Sequence, residues 1–221
     1  MIAFGPVPSR RLGSSLGINH IPPKHCPYSC VYCQVGRTTK LEITRQEFYP
    51  LSQVLDEVGI KIAETTKAGG TIDFLSLVPD GEPTLDIHLS GLIEGLKPFG
   101  IPIAVISNAS LIDRGEVQDA LRQADWISLK VDAVNKTDWH RLNRPYRRLS
   151  LTSILSGILN FRGTFQGKLV TETMLISGIN DNESAIHNLS AYLLELQPFK
   201  AFLSIPTRPP AESWARTPDA D

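Results

Sequence analysis

The chain has 221 residues, a formal net charge of −1 and 42% hydrophobic residues. This length suits one large domain or two small ones, and the balanced charge gives no general attraction to nucleic acid or to an anionic membrane. The amino terminus, MIAFGPVPSRR, lacks the apolar stretch of a secretory signal, and no apolar run approaches the ~20 residues that a membrane helix needs. Three cysteines are too few for a secreted disulfide scaffold of this size, so we expect a protein of the reducing cytoplasm.

Short β-rich runs alternate with helical patterns along the chain, which predicts an α/β fold. A weak strand is predicted at residues 14–20. Stronger strands are predicted at 71–78, 102–107, 126–131, 168–176 and 200–205, and helices at 51–62, 87–96, 114–123, 151–161 and 183–196. Several strands are almost continuously apolar, which is typical of a parallel sheet covered on both faces. The pattern amounts to six βα-like units, the last without a helix.

All three cysteines, Cys26, Cys30 and Cys33, lie in the stretch HCPYSCVYCQ after the first predicted strand. Three interpretations are open. Buried cysteines often act as small hydrophobes, but this loop is rich in proline and polar residues. A structural zinc site usually has a second C-x₂-C unit or two nearby histidines, and the adjacent pair His25 and Cys26 rarely points at one metal. A 4Fe-4S cluster takes four thiolates, so three would leave one iron open to another ligand.

The C-x₃-C-x₂-C spacing, with the aromatic residue Tyr32 before the last cysteine, resembles the cluster loop of the radical S-adenosylmethionine (SAM) superfamily. The resemblance implies that the three thiolates hold one 4Fe-4S cluster and that SAM binds the fourth iron. It also implies a partial (βα)6 TIM-like barrel of parallel strands, with the cluster loop after the first strand. The stretches GPVPSRRLGSSLGIN and CVYCQ are similar to those of an uncharacterised prokaryotic branch related to wyosine-base synthase and nitrogenase-cofactor maturase.

Two loops after predicted strands carry further parts of the resemblance. The turn PDGEPTLD resembles the GGE turn of the superfamily, with Asp80 at the first glycine, and this implies that Gly81 and Glu82 meet the amino group of SAM. A simple Asp-Gly turn is the alternative. In SNAS, Ser107 and Asn108 resemble residues that contact the ribose or carboxylate of SAM, and a strand-ending turn capped by asparagine is the alternative.

The third and fourth strong strands supply the remaining cofactor and catalytic candidates. Lys130 and Asp132 in SLKVDA are charges on an otherwise apolar strand, and because buried charges need partners we predict that both face the site as catalytic residues. A salt bridge is the alternative. The stretch from Ile176 to Ile179 resembles the apolar motif that packs on adenine, which makes Ile179 a candidate cofactor residue. Tyr32, beside the cluster, is another.

A basic stretch, KTDWHRLNRPYRR, follows the third strong strand. Its arginines alternate with aromatic residues, and this combination can bind phosphates and stack on bases. The substrate candidates are Arg141, Arg144 and Arg147, with Arg10, Arg11 and Arg208 as possible companions. The alternative is a solvated helix end. A small anionic molecule is favoured over RNA, since the overall charge gives no long-range attraction to a polyanion.

These features predict a radical SAM enzyme whose core spans residues 1–205, with an extended tail at 206–221. The resemblance implies that SAM is cleaved reductively to a 5′-deoxyadenosyl radical, with a reduced flavodoxin or ferredoxin as electron donor and an unknown substrate. A single cluster is expected, because the chain has no further cysteines. The alternative from another class is a non-catalytic iron–sulfur or zinc binding module that uses the basic stretch to hold a partner.

Overall fold

The computed structural model describes residues 1–219, in which strands and helices alternate as the sequence predicts. The strands are β1 (Ala3–Ser9), β2 (Gly13–Ile18), β3 (His25–Cys26), β4 (Lys40–Leu41), β5 (Phe74–Leu77), β6 (Ile103–Ser107), β7 (Trp126–Lys130), β8 (Lys168–Met174) and β9 (Lys200–Ser204). The α-helices are α1 (Leu51–Lys67), α2 (Leu89–Leu96), α3 (Gly115–Leu121), α4 (Lys136–Asn143), α5 (Leu151–Thr164) and α6 (Glu183–Leu196). None of these helices combines the length and apolarity needed to cross a membrane.

The main sheet has seven strands in the order β1-β2-β5-β6-β7-β8-β9. All its neighbours from β2 to β9 pair in parallel, and only β1 pairs antiparallel, with β2. The six predicted strands correspond to β2 and β5–β9, so the α/β fold and the parallel sheet are confirmed. The sheet does not close into a barrel within the described residues, because β1 and β9 remain its two edges.

Apolar side chains fill both faces of the sheet. Alternate residues of a strand point to opposite faces, and on β7 Ile127 and Leu129 belong to the large core shared with the helices. Trp126, at the amino end of the same strand, belongs to a smaller cluster with Leu12, Ala104 and Val170. Ile127 and Leu129 therefore lie on the opposite face of β7 from Trp126, and each face of the sheet has its own apolar cluster.

The helices begin where side chains can cap them. Asn135, Ser150 and Asn182 each accept a hydrogen bond from a backbone N–H in the first turn of α4, α5 and α6. Such caps satisfy amide groups that have no partner inside the helix. Helix α4 lies in the basic stretch, where the sequence left open a solvated helix end, and its Trp139 is buried.

Strand β1 was not predicted from the sequence. Pro6 and Pro8 interrupt it, and proline is confined to edge strands because it cannot donate to a neighbouring strand. The position of β1 at the edge of the sheet, with β2 as its one partner in the main sheet, accommodates both prolines.

The described part of the predicted tail, residues 206–219, contains no helix or strand but packs against the cysteine loop. The backbone N–H of Glu212 donates to the carbonyl of Val31 at 2.9 Å, and the Glu212 carboxylate pairs with Arg37 and Arg144. Ala215 is also buried. The division at residue 205 stays a prediction, and residues 206–219 form a strap across the cysteine loop.

Candidate functional site

The cysteine loop is anchored at several points at the carboxyl ends of the strands. Cys26 ends β3, which pairs with β4, and the backbone N–H of Cys33 donates to the carbonyl of Cys30 at 3.1 Å. Val31 donates to the carbonyl of Leu142 at 2.9 Å, which ties the loop to α4. All three cysteines are free thiols.

Each thiol has its own side-chain hydrogen-bond donor. Asn108 donates to the sulfur of Cys26 at 3.2 Å, and Asn143 donates to that of Cys30 at 3.3 Å. The Lys24 ammonium donates to the sulfur of Cys33 at 3.3 Å. The donors come from the end of β6, from α4 and from the loop before β3. Hydrogen bonds of this kind orient thiolate ligands and tune the metal centre that they hold.

The electrostatics of the loop favour a bound cation. Burial raises the pKa of Cys26 and raises that of Cys30 to about 12, and the neighbouring thiols add to the rise in both cases. Burial thus favours the neutral form of the Cys26 and Cys30 thiols, whereas iron ligands are thiolates. A cation at their sulfurs would supply the charge that favours the thiolate form.

The arrangement fits a cluster better than a single ion. Within residues 1–219, no three His, Cys, Asp or Glu side chains converge on a point that one metal ion would occupy. His25, which could have completed a zinc site, binds Glu42 through Nδ1 at 2.5 Å. A cluster takes each thiolate at a different iron, so its ligands need not converge on one point.

The turn at Gly81 and Glu82 packs directly on the cysteine loop. A Cβ atom on Gly81 would lie 2.4 Å from the carbonyl oxygen of His25, so a side chain there would displace the backbone beside Cys26. The N–H of Glu82 donates to the same carbonyl at 3.0 Å, and the backbone N–H of Lys24 donates to the carbonyl of Asp80 at 3.0 Å. The glycine at this position allows the close approach of two backbones.

The carboxylate of Glu82 is buried and organises the loop after β6. Its Oε1 accepts from the hydroxyl of Ser107 at 2.6 Å and from that of Thr84 at 2.7 Å, while its Oε2 accepts from the N–H of Asn108 at 2.8 Å. Burial raises the pKa of Glu82, and these hydrogen bonds oppose the rise. Glu82 thus connects the turn to Asn108, which in turn contacts Cys26.

Asp132 is buried in a second network beside the cysteine loop. Its carboxylate accepts from the Tyr32 hydroxyl, from Asn143 at 2.8 Å and from the backbone N–H of Met174 at 2.8 Å. This network joins the loop to α4 and β8. The geometry gives Asp132 a positioning role, and its catalytic role stays a prediction.

Lys130 lies in a charged cluster that also contains Arg11, Glu172 and Ser204. The Lys130 ammonium is 3.4 Å from Glu172 and lies over the ring of Tyr32, 5.0 Å from its centre. Arg11, from the turn between β1 and β2, pairs with Glu172, while Ser204 of β9 donates to Glu172 at 3.0 Å. The cluster joins the amino-terminal hairpin to β8 and β9 across the open side of the sheet.

The pH dependence of stability reports on this cluster. Burial would raise the pKa of Glu172, but Lys130 and Arg11 outweigh it and lower the pKa from 4.5 to about 2. A lowered pKa stabilises the fold above the unfolded-state pKa, and the gain is lost as the pH falls through about 2. We expect Glu172→Gln to lower the free energy of unfolding by up to about 3 kcal/mol at neutral pH and by little at the acid end. Denaturant melts at several pH values measure this. Glu94→Gln, at an exposed residue, is the control, and equal losses at all pH values would contradict this prediction.

The remaining predicted residues lie further from the thiols. Ile179 is buried after β8. The Arg141 guanidinium donates to the carbonyl of Gly178 at 3.2 Å, and Arg144 pairs with Glu212. Arg147 is exposed and has no hydrogen-bond or ion-pair partner in the part of the chain that the structure describes. Their roles stay predictions, as do those of Gly81, Glu82, Ser107 and Asn108 toward SAM.

Sequence reasoning missed two of the three sulfur donors, Asn143 and Lys24, and the partners of Glu172. Asn143 is distant from Cys30 in the chain, so no local spacing signals their contact. Lys24 has a left-handed backbone, with φ of 69°, which the sequence does not indicate. The approach of Arg11 to Glu172 depends on the curvature of the whole sheet.

The fold and the site together define a partial-barrel α/β protein with a three-cysteine loop at the carboxyl ends of its parallel strands. The sequence profile of the Radical SAM superfamily matches residues 21–189. The chain therefore belongs to the radical SAM superfamily, whose members typically bind SAM and a 4Fe-4S cluster.

Relatives in other organisms are similar over almost the whole chain. It is 48% identical to the UPF0026 protein of Methanocaldococcus jannaschii over 98% of its own length and 67% of that protein's. It is 36% identical to the UPF0026 protein of Helicobacter pylori, over 94% of its own length and again 67% of the relative's. The chain thus spans about two-thirds of these relatives.

Solved structures share the fold at low sequence identity. A structure of TYW1 with a lysine-pyruvate adduct bound matches with a TM-score of 0.62 at 16% identity, covering 86% of this chain and 64% of the other. Native anSMEcpe with bound AdoMet matches with a TM-score of 0.63 at 14% identity, covering 88% of this chain and 52% of the other. The chain spans less than two-thirds of either structure, and at these identities the likeness concerns the fold alone.

Proposed function

We propose that this protein binds one 4Fe-4S cluster through Cys26, Cys30 and Cys33 and uses it to cleave SAM reductively. The observation that carries the proposal is the set of three free thiols in one anchored loop, each with its own hydrogen-bond donor. Cys26, Cys30 and Cys33 would hold the cluster, which when reduced would supply the electron for cleaving the bond between the SAM sulfur and the 5′ carbon, and the 5′-deoxyadenosyl radical so formed would take a hydrogen atom from substrate.

The residues around the loop have distinct parts in this proposal. Glu82 holds Ser107 and Asn108 at the edge of the sheet where SAM would lie, with backbone carbonyls near Gly81 available to its ammonium group. Ile179 would pack on the adenine. Lys130, within the charged cluster, and Asp132 are the catalytic candidates, and a rigid barrel wall would hold substrate and exclude water.

The proposal includes an electron donor and a compartment. A one-electron carrier such as reduced flavodoxin or ferredoxin has to deliver an electron to the cysteine loop. The free thiols support a reducing environment such as the cytoplasm.

The test is metal analysis followed by a cleavage assay. Protein purified and reconstituted without oxygen should contain iron and sulfide in the ratio of one 4Fe-4S cluster per chain. With SAM and dithionite it should form 5′-deoxyadenosine and methionine, measured by chromatography with mass detection. Cluster without SAM cleavage would support a non-catalytic iron–sulfur module instead, and zinc in place of iron would overturn the proposal.

A further inference from the structure

A cavity of about 390 Å³ opens on the side of the sheet where β1 and β9 do not pair. It lies between the turn after β1, the inner face of β8 and β9, and the cysteine loop. Its polar lining comes from Arg10, Arg11, Gln34, Glu172, Ser204 and Thr207. Gln34 directly follows Cys33, so one end of the cavity adjoins the proposed cluster site. Its volume is typical of sites for small molecules rather than for macromolecules.

The charges around this cavity do not balance. Its one lining carboxylate, Glu172, is already paired with Arg11 and with Lys130. Arg10 is exposed and contacts no acceptor in residues 1–219. The cavity therefore has an excess of positive charge, with one guanidinium at its rim that no protein group neutralises.

The chemistry of these groups indicates what they would bind. A guanidinium presents a planar set of donors that matches a carboxylate or a phosphate with two parallel hydrogen bonds. A neutral or cationic ligand would gain little from this rim. The basic stretch after β7 offers less, since Arg144 is engaged by Glu212 and Arg141 donates to Gly178. Arg147 has no such partner but does not line this cavity.

We infer that this cavity is the substrate site and that the substrate is a small anion bearing a carboxylate or a phosphate group, which Arg10 binds at the rim. The identification of this ligand as the substrate rests on the proposed function. Binding at the rim leaves the rest of the molecule in the cavity, against β8 and β9 and directed toward Gln34 and the cysteine loop. Arg11 stays with Glu172 and adds to the local positive potential.

The test is a titration that does not depend on SAM cleavage. Cluster-reconstituted protein, kept without oxygen and at constant ionic strength, is titrated with inorganic phosphate, with succinate and with uncharged succinamide in a calorimeter. We expect the two anions to bind and succinamide not to bind. Arg10→Ala should weaken anion binding about 10- to 150-fold, the range for a lost charge-assisted hydrogen bond. The melting temperature should not change, because Arg10 has no partner in the described residues.

Arg148→Ala is the matched control, because it removes an exposed arginine that has no hydrogen-bond or ion-pair partner in the described residues and does not line the cavity. It should bind both anions as the unchanged protein does. Absence of anion binding, or equal losses in the two variants, would overturn the inference. A parallel titration with bulk tRNA tests whether the ligand is RNA. Strong, salt-sensitive tRNA binding that both variants weaken would show that the arginines bind RNA, and would also overturn the inference. Anion binding that depends on Arg10 in a protein that does not cleave SAM would refute the proposed function but leave the anion site standing.

Discussion

Replacing any one of Cys26, Cys30 and Cys33 by alanine should reduce bound iron from one cluster per chain to background. Each thiolate is one of only three that the protein can supply, since the chain has no fourth cysteine. A cluster with two protein ligands would leave two irons exposed to solvent and chelators. The formation of 5′-deoxyadenosine should disappear with the cluster. Iron and sulfide analysis with absorption spectra of the reconstituted variants measures the first effect, and the cleavage assay measures the second.

The control for the cysteine variants is Ser29→Ala in the same loop. Ser29 loses one hydrogen bond, from the N–H of Thr38 at 3.3 Å, but no proposed ligand. This variant should keep its iron and its activity. Full iron content in Cys30→Ala, or stoichiometric zinc in the unchanged protein, would show that the loop is not a cluster site of this kind.

Glu82→Gln should destabilise the fold and weaken SAM binding while leaving the cluster in place. An amide cannot accept hydrogen bonds at both ends, so one set of donors, either at Asn108 or at Thr84 and Ser107, loses its partner. A buried donor without a partner costs about 1–3 kcal/mol, and the loss should appear in denaturant melts. Glu82 is not a proposed iron ligand, so the iron content should be unchanged.

The effect of Glu82→Gln on SAM follows from the same contacts. A loosened Asn108 would alter the edge of the sheet where SAM is proposed to lie, and the buried negative charge would be gone. We expect SAM affinity to fall by roughly 1.5–3 kcal/mol, measured by calorimetry on reconstituted protein. Glu94→Gln, which removes an exposed carboxylate on α2, should change neither stability nor affinity. Loss of iron with unchanged SAM affinity would contradict the assignment of this turn.

The strap formed by residues 206–219 contacts the basic stretch after β7. Arg144 interleaved with aromatic residues resembles a phosphate-binding pattern, yet its guanidinium is paired with Glu212 from the strap. The other partner of Glu212 is Arg37, just after the cysteines. These ion pairs hold the strap and the loop together, and they leave the cavity beside Arg10 as the better anion site.

The sequence alone determined the parallel α/β fold and the location of the cysteine loop, because both follow from local sequence patterns. Apolar runs such as residues 102–107 and 126–131 identify strands regardless of their partners, and the cysteine spacing is a property of ten consecutive residues. Strand β1 was not predicted because Pro6 and Pro8 disfavour a strand, and its strand conformation depends on pairing with β2.

The tertiary structure decided which side chains meet at the site. Asn143 reaches Cys30, Glu82 reaches Asn108, and Arg11 reaches Glu172, in each case from another element of the fold. No sequence pattern records such contacts, since they depend on the order and curvature of seven strands. Buried polar groups need partners, but sequence cannot say which ones, and here Asp132 and Arg144 have partners in networks that contact the cysteine loop.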